Sequence, residues 1–128
     1  MTENKIKVLV VDDNPTFADL IKEAFEGEFE ITAYQDGARG IAWAKTGAPD
    51  IILLDVNMPG MSGIEVVKKL LDCPETRRIP VLVLSATDYN TGTESLFRKE
   101  KNVKGFMTKL APIDAIKESL LRNLRRKE

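Results

Sequence analysis

Residues 51–55 read Ile-Ile-Leu-Leu-Asp. Four consecutive apolar side chains cannot alternate between core and solvent, so the run fits a short strand covered on both faces, with a carboxylate at its end. Two other runs share this character: Ile6–Val11, broken only by Lys7, and Ile79–Leu84, where Pro80 is tolerable near the start. Two more are mixed. Phe29, Ile31 and Ala33 alternate with Glu30 and Thr32, and Val103–Thr108 interleaves polar with apolar residues. The chain therefore offers three strands suited to the middle of a sheet and two suited to its edges.

Helical patterns separate these runs. Asn14-Pro15 is an N-cap followed by proline at the first helical position, and Phe17, Leu20, Ile21, Ala24 and Phe25 follow at helical spacing. Asp36-Gly37 opens a second helix through Ile41 and Trp43, with Gly47 suited to closing it. Ser62-Gly63-Ile64-Glu65 is a capping-box pattern leading through Val67 to Leu71. Thr91–Lys101 is the least apolar helix, with only Leu96 and Phe97. Pro112 starts the last, whose stripe is Ile113, Ile116, Leu120 and Leu124. Five strands alternating with five helices predict an α/β fold with a parallel sheet. Placing strands 1, 3 and 4 inside and 2 and 5 at the edges is satisfied by the doubly wound order 2-1-3-4-5. Right-handed crossovers then put helices on both faces.

Composition narrows the chemistry. The 128 residues suit one domain, 1–128, with no linker or repeat. Lys and Arg number 19 against 20 Asp and Glu, so no strong field draws the chain to nucleic acid or a membrane surface. The absence of histidine excludes a His-based zinc site, a Ser-His-Asp triad and a phosphohistidine on this chain. The single cysteine, Cys73, excludes an internal disulfide and fits a reducing, cytoplasmic setting; it reads as a quiet residue near a helix end. Apolar runs are too short for a membrane span, and MTENKIKVLVVDD contains no signal-peptide cleavage region.

Ligands of open α/β sheets bind beyond the carboxyl ends of the strands. There the chain carries Asp12-Asp13, Asp55, Ser85 and Thr108-Lys109. Taken singly, Asp12-Asp13 is also a solvated turn or helix cap, and Ser85 a small residue ending a strand. Together they have a chemical logic. Three adjacent carboxylates resist ionisation unless a cation joins them, and an all-oxygen donor set favours Mg²⁺. Asp55 suits an aspartyl nucleophile that forms an acyl phosphate, with Lys109 and Ser85 holding phosphate oxygens.

At these residues the sequence resembles the receiver domains of two-component response regulators. VLVVDDNP (8–15), IILLDVNMPGMSG (51–63), VLVLSA (81–86) and GFMTK (105–109) carry the resemblance, which spans essentially the whole chain. It implies the flavodoxin-like receiver fold. It implies Asp55 as phosphoacceptor, Asp12 and Asp13 as the Mg²⁺-binding pair, and Asn57 as a backbone-carbonyl ligand. Ser85 and Phe106 are implied as switch residues and Lys109 as the phosphate-pairing lysine. Asn57 and Thr87 would tune the phosphate lifetime, and Met58-Pro59-Gly60 would shape the loop after Asp55. It also implies a histidine kinase or histidine phosphotransfer protein as donor and a downstream protein as target.

Two departures matter. The family's proline after the lysine is Leu110 here, with Pro112 two residues on. A cis Lys109-Leu110 bond would cost about 2.5–4 kcal/mol, so either the loop is strained or it is trans and Lys109 approaches differently. The family's Gly-Ala before the last strand is Asn102-Val103, and asparagine tolerates the left-handed conformation. The expectation is a signalling phosphoacceptor, an enzyme only toward its own phosphorylation and dephosphorylation. Three rivals share the scaffold. A phosphate-independent binding module is favoured by Leu110 alone. An aspartyl phosphatase would need an acid where Asn57 stands. A flavodoxin-like nucleotide binder would meet repulsion from Asp12-Asp13. The basic tail around Arg122–Lys127 reads as a solvated last turn or a surface for an acidic partner.

Overall fold

A computed structural model describes residues 5–56, 58–86 and 91–124. In chain order the elements are β1 (Ile6–Val11), α1 (Pro15–Ala24), β2 (Phe29–Tyr34), α2 (Gly37–Gly47) and β3 (Ile51–Asp55). There follow α3 (Gly63–Leu71), β4 (Val81–Ser85), α4 (Thr91–Arg98), β5 (Val103–Thr108) and α5 (Ile113–Arg122). The strands are parallel in the order β2-β1-β3-β4-β5, so the mixed runs do lie at the edges and the apolar ones inside.

The sheet separates two cores. Leu9, Val11, Ile52, Leu54, Val81 and Val83 face one way, against Ile41 and Ala44 of α2, Val66, Val67 and Leu70 of α3, and Phe97 of α4. Val8, Val10, Ile51, Leu53, Leu82 and Leu84 face the other, against Phe17, Ala18 and Ile21 of α1 and Ile116 and Leu120 of α5. Consecutive residues of β3 thus serve opposite layers, which is why Ile51–Leu54 has no polar member.

Local signals read in the sequence behave as expected at three helix starts. Asn14 Oδ1 accepts from Thr16 N at 2.9 Å, Asp36 Oδ1 from Arg39 N at 2.8 Å, and Ser62 Oγ from Glu65 N at 3.4 Å. Other boundaries move. β4 begins at Val81 because Ile79 N–H donates to the Thr76 carbonyl in a turn, although the Pro80 carbonyl still accepts from Ile52 N. α2 is closed by Ala48, whose φ is 50°, while Gly47 stays helical with the Trp43 ring where a Cβ would sit. α4 stops at Arg98, three residues short of expectation.

Asn102 departs furthest from its expected role. It is not left-handed: among the described residues only Gly27, Ala48 and Gly60 have positive φ. It is 3% exposed, its carbonyl accepts from Val81 N at 2.8 Å, and its Nδ2 donates to the Val67 carbonyl at 3.2 Å. The residue stitches β5 to β4 and to α3. Just beyond it, Val81 pairs with Val103 and Leu82 with Gly105, so Lys104 is the extra residue of a β-bulge.

Candidate functional site

β1 and β3 are neighbours in the sheet, so Asp12, directly after β1, and Asp55, ending β3, emerge side by side. Asp12 is fixed by its own backbone. Its N–H donates to the Tyr34 carbonyl at 3.1 Å, and its Oδ1 accepts from Asn14 N at 2.8 Å. Asp13 is exposed. Carboxylate oxygens of Asp12, Asp13 and Asp55 all lie within 4.8 Å of one another.

Lys109 crosses from the end of β5 to this group. Its Nζ lies 2.7 Å from Asp12 Oδ2 and 3.2 Å from Asp55 Oδ1. Its backbone N–H donates to the Ser85 carbonyl at 2.7 Å, which anchors the lysine at the strand end. The ammonium also sits 5.1 Å from the centre of the Phe17 ring. Phe17 reads in the sequence only as one of a helical stripe, and no sequence signal separates its place beneath Lys109 from ordinary packing.

No peptide bond among the described residues is cis, so Lys109-Leu110 is trans. Thr108 organises the turn instead: its Oγ1 accepts from Leu110 N at 3.0 Å, and its carbonyl accepts from Ala111 N at 3.1 Å. Lys109 still meets both carboxylates, while Leu110 is left 73% exposed. Behind Asp55, the start of α3 presses on the chain. A Cβ on Gly63 would lie 2.7 Å from the Asp55 carbonyl oxygen and 2.9 Å from that of Val56. Only glycine lets the helix start this close, a constraint that the capping pattern did not reveal.

Burial first, then the Asp12 charge and more weakly Asp13, push the Asp55 carboxyl up to about 6, against the opposing pull of Lys109. Burial would depress Lys109, but its hydrogen bond and charge pairing with Asp12, and then with Asp55, raise it above the usual lysine range. The site therefore holds an excess of negative charge that one ammonium does not neutralise.

Ser85 ends β4 opposite Thr108 and is buried at the same rim. Phe106 is on β5 opposite Val83, buried in the core beneath α3 and α4, its ring 5.9 Å from that of Phe97. Asp12, Asp13, Asp55 and Lys109 are thus brought together and Ser85 shares their rim, whereas Phe106 belongs to the core. Asn57 and Thr87 lie outside the described residues, as does the tail from 125 onward.

Residues 8–121 match the response regulator receiver domain family. The chain belongs to that family. This receiver is 40% identical over 111 residues to Response regulator PleD of Caulobacter vibrioides, a match covering 86% of this chain but 24% of PleD. The chain thus spans about a quarter of that relative's length. Protein PilH of Pseudomonas aeruginosa is 29% identical over 119 residues, covering 92% of this chain and 93% of PilH. The solved structure of chemotaxis protein CheY4 of Vibrio cholerae superposes with a TM-score of 0.86 at 26% identity, covering 94% of this receiver and all of that chain.

Receiver domains bind Mg²⁺ at an acidic cluster, and the donor chemistry here fits such an ion. Every donor is a hard carboxylate oxygen, and the Asp55 carboxyl is raised by burial first and then by the neighbouring carboxylates, a penalty that a divalent cation would offset. No helix among the described residues is long and apolar enough to cross a membrane.

Proposed function

We propose that this receiver accepts a phosphoryl group on Asp55 from a phosphohistidine of a histidine kinase or phosphotransfer protein. One observation carries the reading: Asp55 is a buried strand-end carboxylate touching one ammonium and crowded by two further carboxylates. In the transfer, an Asp55 carboxylate oxygen forms a bond to phosphorus as the donor's P–N bond breaks. The electron pair returns to the imidazole, which takes up a proton and leaves neutral. Hydrolysis by water later regenerates the carboxylate and releases inorganic phosphate.

The chain's own residues prepare this step. Lys109 already lies within reach of Asp55 and would pair with a phosphoryl oxygen in its place. Ser85, buried at the same rim, would donate a hydrogen bond to another. Asp12 and Asp13, with Asp55 and the backbone carbonyl of Asn57, would hold Mg²⁺. Bound there, the ion supplies charge neutralisation for the transferring group. Phosphorylation would move Ser85 toward the new group and alter the packing of Phe106, shifting a two-state equilibrium that a downstream protein reads. We read residues 1–128 as one receiver domain acting in the cytoplasm, catalysing nothing beyond its own phosphorylation and dephosphorylation.

The test is intact mass after incubation with acetyl phosphate, with and without Mg²⁺, for the wild type and Asp55→Asn. The expected outcome is a Mg²⁺-dependent gain of one phosphoryl group that the variant lacks. A folded, Mg²⁺-binding wild type that gains nothing would overturn the proposal in favour of a phosphate-independent binding module.

A further inference from the structure

Opposite the carboxylate rim, a cleft of about 580 Å³ opens at the amino-terminal side of β4 and β5. Leu71 at the end of α3, Arg77 and Arg78 of the α3–β4 connection, Lys101 and Asn102 before β5, and Lys104 within it form the lining. Four of these six residues are cationic, none is acidic, and all four cations are exposed. None of the four forms an ion pair among the described residues, although the fold pairs Lys68, Arg98, Lys109, Lys117 and Arg122 with carboxylates.

This concentration of charge is local, since the whole chain carries a formal net charge of −1. The backbone also builds it. The bulge at Lys104 breaks the strand's alternation where that lysine joins the lining. Asn102 fixes the wall through its bonds to Val81 and Val67, and its buried Oδ1 accepts no hydrogen bond.

We infer that this cleft binds a small ligand carrying two or more phosphate groups. Its volume is in the range of small-molecule sites. Four exposed cations share one lining with no acid among them, and the two guanidinium groups suit bidentate contacts to phosphate oxygens. The partly buried Leu71 and the aliphatic stems of the lysines and arginines offer apolar surface for the rest of such a molecule. A protein partner is less well matched, since the lining has no aromatic anchor. A nucleic-acid strand would find no ring on which to stack a base.

The experiment is titration of the full chain with sodium tripolyphosphate and, separately, with adenosine triphosphate, in EDTA at physiological salt. Calorimetry reads affinity and amide chemical shifts read location. Expected are saturable binding, shifts concentrated at 71–78 and 101–104, and a loss of at least about tenfold in affinity for Arg78→Gln with Lys101→Gln. A matched removal of two exposed charges elsewhere, Lys22→Gln with Lys45→Gln, should leave affinity within twofold. Equal affinity for the two probes would identify phosphates alone as the ligand; tighter binding of the nucleotide would add its nucleoside. Absence of saturable binding, equal weakening by both double variants, or shifts centred on Asp55 would each overturn the inference. Neither titration depends on Asp55 acting as phosphoacceptor.

Discussion

Replacing Asp55 by asparagine keeps the shape of the side chain and removes its charge, so it reports what that charge costs in the metal-free protein. The folded-state carboxyl titrates near 6 against a usual 3.8, and ionising it in place therefore lowers native stability by on the order of 3 kcal/mol. Water reaching the rim screens part of this, so the expected gap is about 1–3 kcal/mol. The sign follows from proton binding. Between pH 4 and 6 the native state holds a proton that the unfolded chain has released. The wild type thus has the full benefit of the neutral acid below about 3.8 and loses it as pH rises through 6. Urea unfolding in metal-free buffer, followed by the single tryptophan, Trp43, measures the gap directly. Asp55→Asn should match the wild type near pH 4 and exceed it by that margin at pH 8. Millimolar Mg²⁺ should narrow the difference by stabilising the wild type. A variant no more stable than the wild type at pH 8, or a gap that ignores pH, would refute the reasoning. The Lys109 contact would then outweigh burial and the neighbouring carboxylates.

Other substitutions separate the contributions. Lys109→Met removes the group that opposes the rise of Asp55, so the Asp55 carboxyl should titrate above 6, read by carboxyl-carbon chemical shifts in metal-free protein. Gly63→Ala should cost about 1–3 kcal/mol in urea unfolding, because its Cβ meets backbone oxygens that side-chain rotation cannot clear. Asn102→Ala removes the side-chain bond to the Val67 carbonyl and should cost about 0.5–1.5 kcal/mol in urea unfolding, whereas Asn102→Gly should not recover that loss. Phe106→Ala should cost about 3–5 kcal/mol by emptying the core beneath α3 and α4.

Strand order was legible because burial on two faces leaves a compositional mark: Ile51–Leu54 and Val8–Val11 have no polar residue to spare for solvent. The carboxylate rim was legible for a related reason, since an acid directly after such a run must sit at a strand end. Features that depend on close approach between distant segments were not legible. Nothing around Asn102 says that its amide reaches Val67, 35 residues away in the chain. Nor does Gly63 announce the carbonyls behind it, because glycine after a serine N-cap looks like part of the cap. Ala48 took the left-handed position because Gly47 was already required beneath the Trp43 ring. At Leu110 the sequence posed a choice of peptide geometry, and the Thr108 hydroxyl supports the trans turn that resolves it.

Helix α4 sends one ring into the core. Among its described side chains only Phe97 is buried, seated against Phe106, and one such contact amounts to about 1.5–3 kcal/mol of burial. α3 is seated by Val66, Val67 and Leu70 together. Opening α4 therefore uncovers one buried ring among its described side chains, while opening α3 requires breaching the core. Backbone amides of α4 should exchange with solvent deuterium well before those of β1, β3 and β4, through an excursion that leaves the rest of the molecule folded.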